Sequence, residues 1–341
     1  MKSKAFIIEG IGKSEIKEIQ MPELKKNEIL VKVKSCGVCT TDRRIFTGEI
    51  KVPTPMIGGH EVAGEVIELG DKVKKIKKGD LVTLDTINRC GVCYYCIRGM
   101  DNLCINARKG RKIEDNFLIA GGFSEYIVVR EKQVFKLLKE TPLRVAALTE
   151  PLSCCLHSVK KADLQFGDSI LIIGGGTMGI LHAFLAKMRG TKSIISDPEN
   201  HRREFIEKMG FKAIKPEEIE SVIPEINEGH GFDAVFITAP VINVVGKTIE
   251  YVRKVGTIIL YTSMHPTGDL DIDCNSMHYS EIKIMGTEGR TAEDFREATN
   301  LISSFHMDIE YLVTKTIALE ELGDELGLTP AGNEQRTVVL F

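Results

Sequence analysis

The sequence predicts an α/β protein: a doubly wound parallel sheet, accompanied by a smaller β-rich domain. Three observations predict it. Residues 1 to about 150 carry short apolar runs cut by Gly and Pro. From about 155 to 290, strand-length apolar runs alternate with helix-length segments, and the first of these strands leads straight into a glycine-rich turn. Punctuated short runs mark a β domain with many turns. Strands alternating with helices imply parallel strands joined by right-handed crossovers.

The opening MKSKAFIIEG has a charged head, but its apolar stretch is too short for a secretory leader and reads as a first strand. Val31, Val33 and Ser35 alternate with Lys32 and Lys34, the period of a half-buried strand. Residues 62–69 follow the pair Gly58 and Gly59 as another. Ser169–Ile173 is continuously apolar after its serine, as expected of a strand covered on both faces. A helix-length segment then reaches Arg189, a strand over 193–196 ends at Asp197, and a helix over 199–209 closes at Gly210. Further strands are expected over 234–238, 257–260 and 282–285. Thr291 is placed to cap a helix with Phe295, Ala298 and Ile302 on one face, and residues 337–341 read as a last strand.

Composition narrows the function. A chain of 341 residues suggests about two domains. Lys plus Arg number 45 against 48 Asp plus Glu, so there is no basic excess for nucleic acid. No apolar run approaches the ~18 residues of a membrane span. The expected location is the cytoplasm. There the nine cysteines, an odd number, point to metal binding or burial rather than a disulfide framework.

Residues 174–179 read Gly174-Gly175-Gly176-Thr177-Met178-Gly179. After a buried strand and before a helix, this is the context of a dinucleotide-binding turn. The glycines permit a tight turn and close approach of the pyrophosphate, and the helix N-terminus offers free N–H groups. Asp197, 21 residues beyond Gly176, can accept from the adenosine ribose hydroxyls and would repel a 2′-phosphate, favouring NAD. Arg202 and Arg203 leave NADP open. Thr238 ends a later strand and serves either near the nicotinamide or as a strand-end hydroxyl.

Cys90, Cys93, Cys96 and Cys104 stand at spacings suited to one tetrahedral structural zinc; an iron–sulfur cluster is the alternative. Arg89, Arg98 and Lys109 are near enough in sequence to offset its negative charge. Cys39, His60 and Glu150 form a mixed Cys/His/Glu set of the kind that holds a catalytic zinc with an open position. Cys36 and Cys39 can alternatively be read as a CxxC redox pair, though without the βαβ context such pairs usually have.

Taken together, Cys39-Thr40-Thr41-Asp42, Gly59-His60-Glu61, the four-cysteine lobe, Glu150-Pro151-Leu152 and the glycine turn resemble, in order, the zinc-dependent medium-chain dehydrogenase family. This is the alcohol, sorbitol and threonine dehydrogenase group. The resemblance covers essentially the whole chain. It implies a GroES-like catalytic domain from 1–153 and 289–341, with a zinc lobe at 89–105, around a Rossmann domain at 154–288. It implies two zinc ions per chain, NAD or NADP, and a homodimer or homotetramer. Cys39 and His60 resemble catalytic zinc ligands, with Glu150 or Glu61 as the third. Thr41 resembles the hydroxyl that relays the substrate proton. Where the family commonly has a histidine relay, this chain has Arg44.

The implied activity is hydride transfer from a secondary alcohol. Residues 275–286 and Glu150-Pro151-Leu152 are similar to the polyol and sugar-alcohol branch. Arg44 beside Arg43 can grip a substrate phosphate, or the two are a solvated basic pair. L-threonine 3-dehydrogenase is the alternative activity, and a non-enzymatic zinc and nucleotide binder of the same fold is a third.

Overall fold

The chain forms two compact units: Met1–Ser153 with Arg290–Phe341, and Cys154–Gly289. The structure is a computed structural model. It describes every residue except 108–110, 113–117, 120, 265, 266, 305, 306, 329–331 and 333, so Lys109 lies outside it.

The first unit is built on two sheets. Six strands of the larger run in the order Val134–Lys136, Leu81–Asp85, Glu61–Leu69, Glu28–Gly37, Arg336–Leu340 and Val313–Ile317. Tyr126–Arg130 also pairs with Glu28–Gly37. The final strand meets strand 28–37 antiparallel, with Val338 opposite Gly37 and Val339 opposite Cys36. The end of the chain thus completes a sheet begun near its start. Val31 and Val33 are fully buried while Lys32 and Lys34 are half-exposed, which is why the alternation is legible in the sequence. The opening segment is strand Lys2–Gly10, in the smaller sheet. Phe6, Ile29, Val31, Leu84, Phe123 and Ile127 belong to the apolar core of this unit. Each stabilises the fold by about 1.5–3 kcal/mol.

Helix Ala292–Ser303 forms where Thr291 and Asp294 cap each other. Thr291 Oγ1 accepts from the Asp294 N–H at 3.1 Å, and an Asp294 carboxylate oxygen accepts from the Thr291 N–H at 2.9 Å. Phe295, Ala298 and Ile302 are its buried face.

The second unit is a six-stranded sheet in the order Lys212–Ile214, Lys192–Ser196, Ser169–Ile173, Phe232–Ile237, Val252–Leu260 and Lys283–Gly286. Every pairing is parallel. This is the doubly wound Rossmann order, 3-2-1-4-5-6 in the unit's own count. Strand order reverses between Ser169–Ile173 and Phe232–Ile237, so the ligand crevice of such a sheet lies beyond their C-terminal ends. Ile170, Leu171 and Ile172 are fully buried, as a continuous apolar run requires. Strand Lys212–Ile214 is three residues long and leaves no periodic signal. The change of pattern near 155 falls inside helix Thr149–Lys161, whose first turn carries Glu150.

Candidate active site and metal centres

The glycine turn stands at the switch point. Gly174 has φ of +112°, and a Cβ there would meet Thr238 Oγ1 at 2.8 Å. At Gly179 a Cβ would lie 1.9 Å from the Gly174 carbonyl oxygen, so strand and helix pack through bare backbone. Gly176 differs, because a Cβ there would meet nothing within 4 Å. It is the N-cap of helix Thr177–Met188, and its open face leaves room for a phosphate against the first N–H groups, those of Thr177 and Met178.

Asp197 is buried at the end of strand Lys192–Ser196. One carboxylate oxygen accepts from the Gly175 N–H at 2.7 Å and the other from the Glu199 N–H at 2.9 Å. A carboxylate has about four lone-pair sites, so both oxygens keep capacity for hydroxyl donors. The two arginines separate. Arg203 donates to the carbonyls of Asp197 at 2.8 Å and Pro198 at 2.6 Å. Arg202 stays partly exposed, 3.6 Å from the Asp197 carboxylate. The Thr238 hydroxyl points to the carbonyls of Ile173 at 2.9 Å and Gly174 at 3.0 Å, tying strand 232–237 to the turn.

In the first unit, ligand atoms of Cys39, His60 and Glu61 lie within 4.8 Å of one another. Cys39 is the N-cap of helix Thr40–Thr47, and its N–H donates to Asp42 at 3.0 Å. The other Asp42 oxygen accepts from the Gly59 N–H at 3.2 Å and lies 3.6 Å from His60 Nδ1. One buried carboxylate therefore fixes the Cys39 backbone and lies beside the imidazole. Burial opposes its ionisation, yet His60 and the Cys39 and Gly59 N–H groups hold its carboxyl below the usual value. Gly59 has φ of +87°, and a Cβ there would meet Cys36 Sγ at 2.7 Å, so only glycine brings the chain round to His60. Burial also opposes charge on His60, but Asp42 and Cys39 raise its pKa well above the ordinary imidazole value. Metal and proton compete for such a ligand.

Glu61 is fully buried, and both carboxylate oxygens lack a hydrogen-bond partner. Arg336 Nη1 is 3.4 Å away, and a Cβ on Gly37 would lie 2.0 Å from the carboxylate. Burial pushes the Glu61 carboxyl up to about 7, with Arg336 pulling it down and Glu150 adding to the rise. A buried carboxylate with unmatched oxygens beside a thiol and an imidazole is a donor set that suits a catalytic zinc. Glu150 stands outside this group. Its carboxylate is paired with the Arg290 guanidinium.

Cys36 is buried against Gly59 and Gly122 on strand Glu28–Gly37. Burial pushes its thiol well above the ordinary value, which leaves it a structural hydrophobe rather than half of a redox pair.

The sulfurs of Cys90, Cys93, Cys96 and Cys104 also fall within 4.8 Å of one another. Cys90 Sγ is 3.6 Å from Cys104 Sγ and 4.0 Å from Cys96 Sγ. A tetrahedral zinc with bonds of 2.3 Å spaces its sulfurs by about 3.8 Å, so the lobe fits the ion. Hydrogen bonds from Asn106 and the Val92 N–H bring the Cys90 thiol down to about 6. Gly91 and Gly99 take positive φ in the knuckle turns. Arg98 stacks on Tyr94 at 3.8 Å. Arg89 is drawn to Asp85 and Asp101 instead of the thiols.

Thr41 is exposed in the first turn of helix Thr40–Thr47. Of the two neighbouring arginines, Arg43 is buried and paired with Glu325. Arg44 lies 3.6 Å from the exposed Glu49 carboxylate. Sequence reasoning assigned no task to Asp42, although it quoted its motif, and none to Asp85, Arg290 or Arg336. Arg290 and Arg336 act through partners remote in the chain, while Asp85 pairs both with Arg89 four residues on and with the remote Arg290.

A dinucleotide turn at the switch point of a Rossmann sheet, with a Cys/His/Glu centre in a β-rich unit, defines a metal-dependent nicotinamide dehydrogenase. Residues 25–139 match the alcohol dehydrogenase GroES-like domain, and residues 177–304 match the zinc-binding dehydrogenase family. The chain is 31% identical over 330 residues to D-arabitol-phosphate dehydrogenase of Enterococcus avium, covering 94% of this chain and 92% of that one. It is 31% identical over 324 residues to L-threonine 3-dehydrogenase of Caldanaerobacter subterraneus, covering 90% of each. Among solved structures it resembles that of (2R,3R)-butanediol dehydrogenase from Bacillus subtilis, with TM-score 0.87, 26% identity and 99% of each chain covered. The chain belongs to the zinc-binding alcohol dehydrogenase family and is an oxidoreductase acting on alcohols.

Proposed function

We propose that the protein oxidises a secondary hydroxyl of a polyol or sugar alcohol, free or phosphorylated, to the ketone, with NAD as hydride acceptor. The observation that carries this reading is the convergence of Cys39, His60 and a Glu61 carboxylate that accepts no hydrogen bond, in a chain that also bears an open dinucleotide turn. Similarity to the D-arabitol-phosphate enzyme supports the substrate class. Cys39, His60 and Glu61 would hold the catalytic zinc, and Cys90, Cys93, Cys96 and Cys104 a structural one. When bound, zinc supplies the Lewis acidity that makes a hydroxyl acidic near neutral pH, and the nicotinamide supplies the hydride acceptor.

The chain's own residues do the rest. Asp42 fixes the Cys39 backbone and lies beside the His60 imidazole. The Thr41 hydroxyl, exposed two residues after Cys39, takes the substrate's proton and passes it outward. Gly176 and the N–H groups of Thr177 and Met178 receive the pyrophosphate. Asp197 accepts the ribose hydroxyls, and Arg202 beside it sets the balance against NADP. Arg44 draws an anionic group on the substrate. No helix among the described residues is long and apolar enough to cross a membrane. We place the enzyme in the cytoplasm as a homodimer or homotetramer.

The test is NAD reduction followed by absorbance across sorbitol, xylitol, galactitol, their phosphates and threonine, with zinc counted in the same sample. Turnover of one polyol with about two zincs per chain is expected. Turnover of threonine alone would replace the polyol reading with the second one, which the threonine dehydrogenase relative favours. No turnover at fewer than two zincs would overturn the enzyme reading.

Two variants refine it. Asp197→Ser should cut the preference for NAD over NADP by about ten- to a hundredfold, the loss of one or two charge-assisted hydrogen bonds. An unchanged ratio of Kd values by fluorescence titration would remove Asp197 from cofactor choice. Arg44→Ala should raise KM by about tenfold for a phosphorylated polyol and little for the neutral one. Equal loss on both would assign Arg44 to the fold.

A further inference from the structure

A buried chain of ion pairs leads out of the four-cysteine lobe. Arg89 immediately precedes Cys90. It is buried, and its guanidinium is paired with Asp85, lies 3.1 Å from Asp101 inside the lobe, and donates to the Arg290 carbonyl at 2.6 Å. Asp101 in turn accepts from the Ala292 N–H at 3.1 Å. Asp85, at the end of strand Leu81–Asp85, is 1% exposed and shares its other oxygen with Arg290 at 2.9 Å. Arg290 passes its second nitrogen to Glu150. Asp85 also stands directly opposite Glu61 where strands Leu81–Asp85 and Glu61–Leu69 pair antiparallel.

We propose that Asp85, Arg89 and Arg290 are positioning residues that tie the four-cysteine lobe to the Cys39–His60–Glu61 centre, in which Glu61 stands opposite Asp85 across the paired strands, and that metal bound in the lobe acts on that centre through them. This rests on the functional reading above. The physical argument is one of constraint. Three carboxylates (Asp85, Asp101, Glu150) share two guanidiniums, and all but Asp101 are more than nine-tenths buried, so no member moves without stranding another's charge. Bound metal fixes Cys90, and with it the backbone from which Arg89 extends. An empty lobe releases Arg89 and Asp101 together. Asp85 then loses one of its two guanidinium partners, on the strand that faces Glu61, and the Arg290 carbonyl loses its donor. Structural and catalytic metals are thereby coupled through side chains rather than only through fold stability.

The test uses the full zinc-loaded protein with cobalt(II) exchanged into the Cys39 centre. The readouts are the visible cobalt spectrum and the rate at which a chelator removes that metal. Wild type is compared with Arg89→Ala and, as a milder change touching only the lobe side, Asp101→Asn, with lobe zinc counted in each. Both variants should shift the cobalt bands and speed metal loss, Arg89→Ala by about ten- to a hundredfold, as removal of outer partners does at metal sites. The lobe zinc should remain. Wild-type spectrum and loss rate in both variants would overturn the proposal, as would faster loss only in variants that had also melted early. A wild type that takes up no cobalt at Cys39 would overturn the functional reading and this inference together. Normal uptake with indifferent variants would overturn only the inference.

Discussion

Replacing Cys39 by Ala is expected to lower kcat/KM by at least about a thousandfold while leaving the circular dichroism spectrum unchanged. A catalytic metal supplies several kcal/mol of stabilisation, and each 1.36 kcal/mol is tenfold in rate. Cys39 caps a short helix at a half-exposed position, and the apolar core of its unit does not include it. The fold therefore does not depend on the thiol. His60→Ala should cost as much, and the double variant little more than either single one, because the two act as one unit. Zinc should fall from about two to about one per chain in all three. Near-normal turnover in the Cys39 variant, with one zinc left, would refute the assignment of this centre to catalysis.

Gly179→Ala is expected to weaken NADH binding by at least about tenfold and to lower the Tm. The new Cβ would lie 1.9 Å from the Gly174 carbonyl oxygen, and a backbone atom cannot rotate away. Relief requires the helix to draw back from the strand, at a cost of about 1–3 kcal/mol. That corresponds to roughly 2–12 °C in Tm. Gly176→Ala is the control for mechanism. Its Cβ enters open space, so Tm should hold while NADH affinity falls, since the methyl group occupies the face where the pyrophosphate approaches. If neither variant loses affinity, the turn does not bind a dinucleotide; if Gly176→Ala melts as early as Gly179→Ala, the open space at Gly176 is not what separates them. Isothermal titration with NADH and thermal melts on the same samples separate the cases.

The two predictions draw on parts of the site that differ in how far the sequence revealed them. The glycine turn was readable because each of its requirements is local: a positive φ at Gly174, open space at Gly176, bare packing at Gly179. The four-cysteine lobe was readable because its ligands fall within fifteen residues and their spacing admits few geometries. Strands such as Ser169–Ile173 were readable because burial on both faces removes polar residues. Strand Lys212–Ile214 was not, since three residues carry no period.

Other features depend on chain segments far apart in sequence. The family resemblance left Glu61 and Glu150 as alternatives for the third ligand. The fold put Glu61 with Cys39 and His60 by starting strand Glu61–Leu69 there, and engaged Glu150 with an arginine 140 residues away. Arg43 and Arg44 look alike in sequence, yet helix Thr40–Thr47 buries one against Glu325 and leaves the other at the surface side. Arg202 and Arg203 divide in the same manner around Asp197. By itself the sequence determined the fold class, the glycine turn and the four-cysteine cluster, because those depend on local conformation and on close spacing. Only the tertiary structure decided which carboxylate lies beside Cys39 and His60 and which charges are paired within the chain. Ion pairing in a buried interior is set by distances between segments that the chain order does not encode.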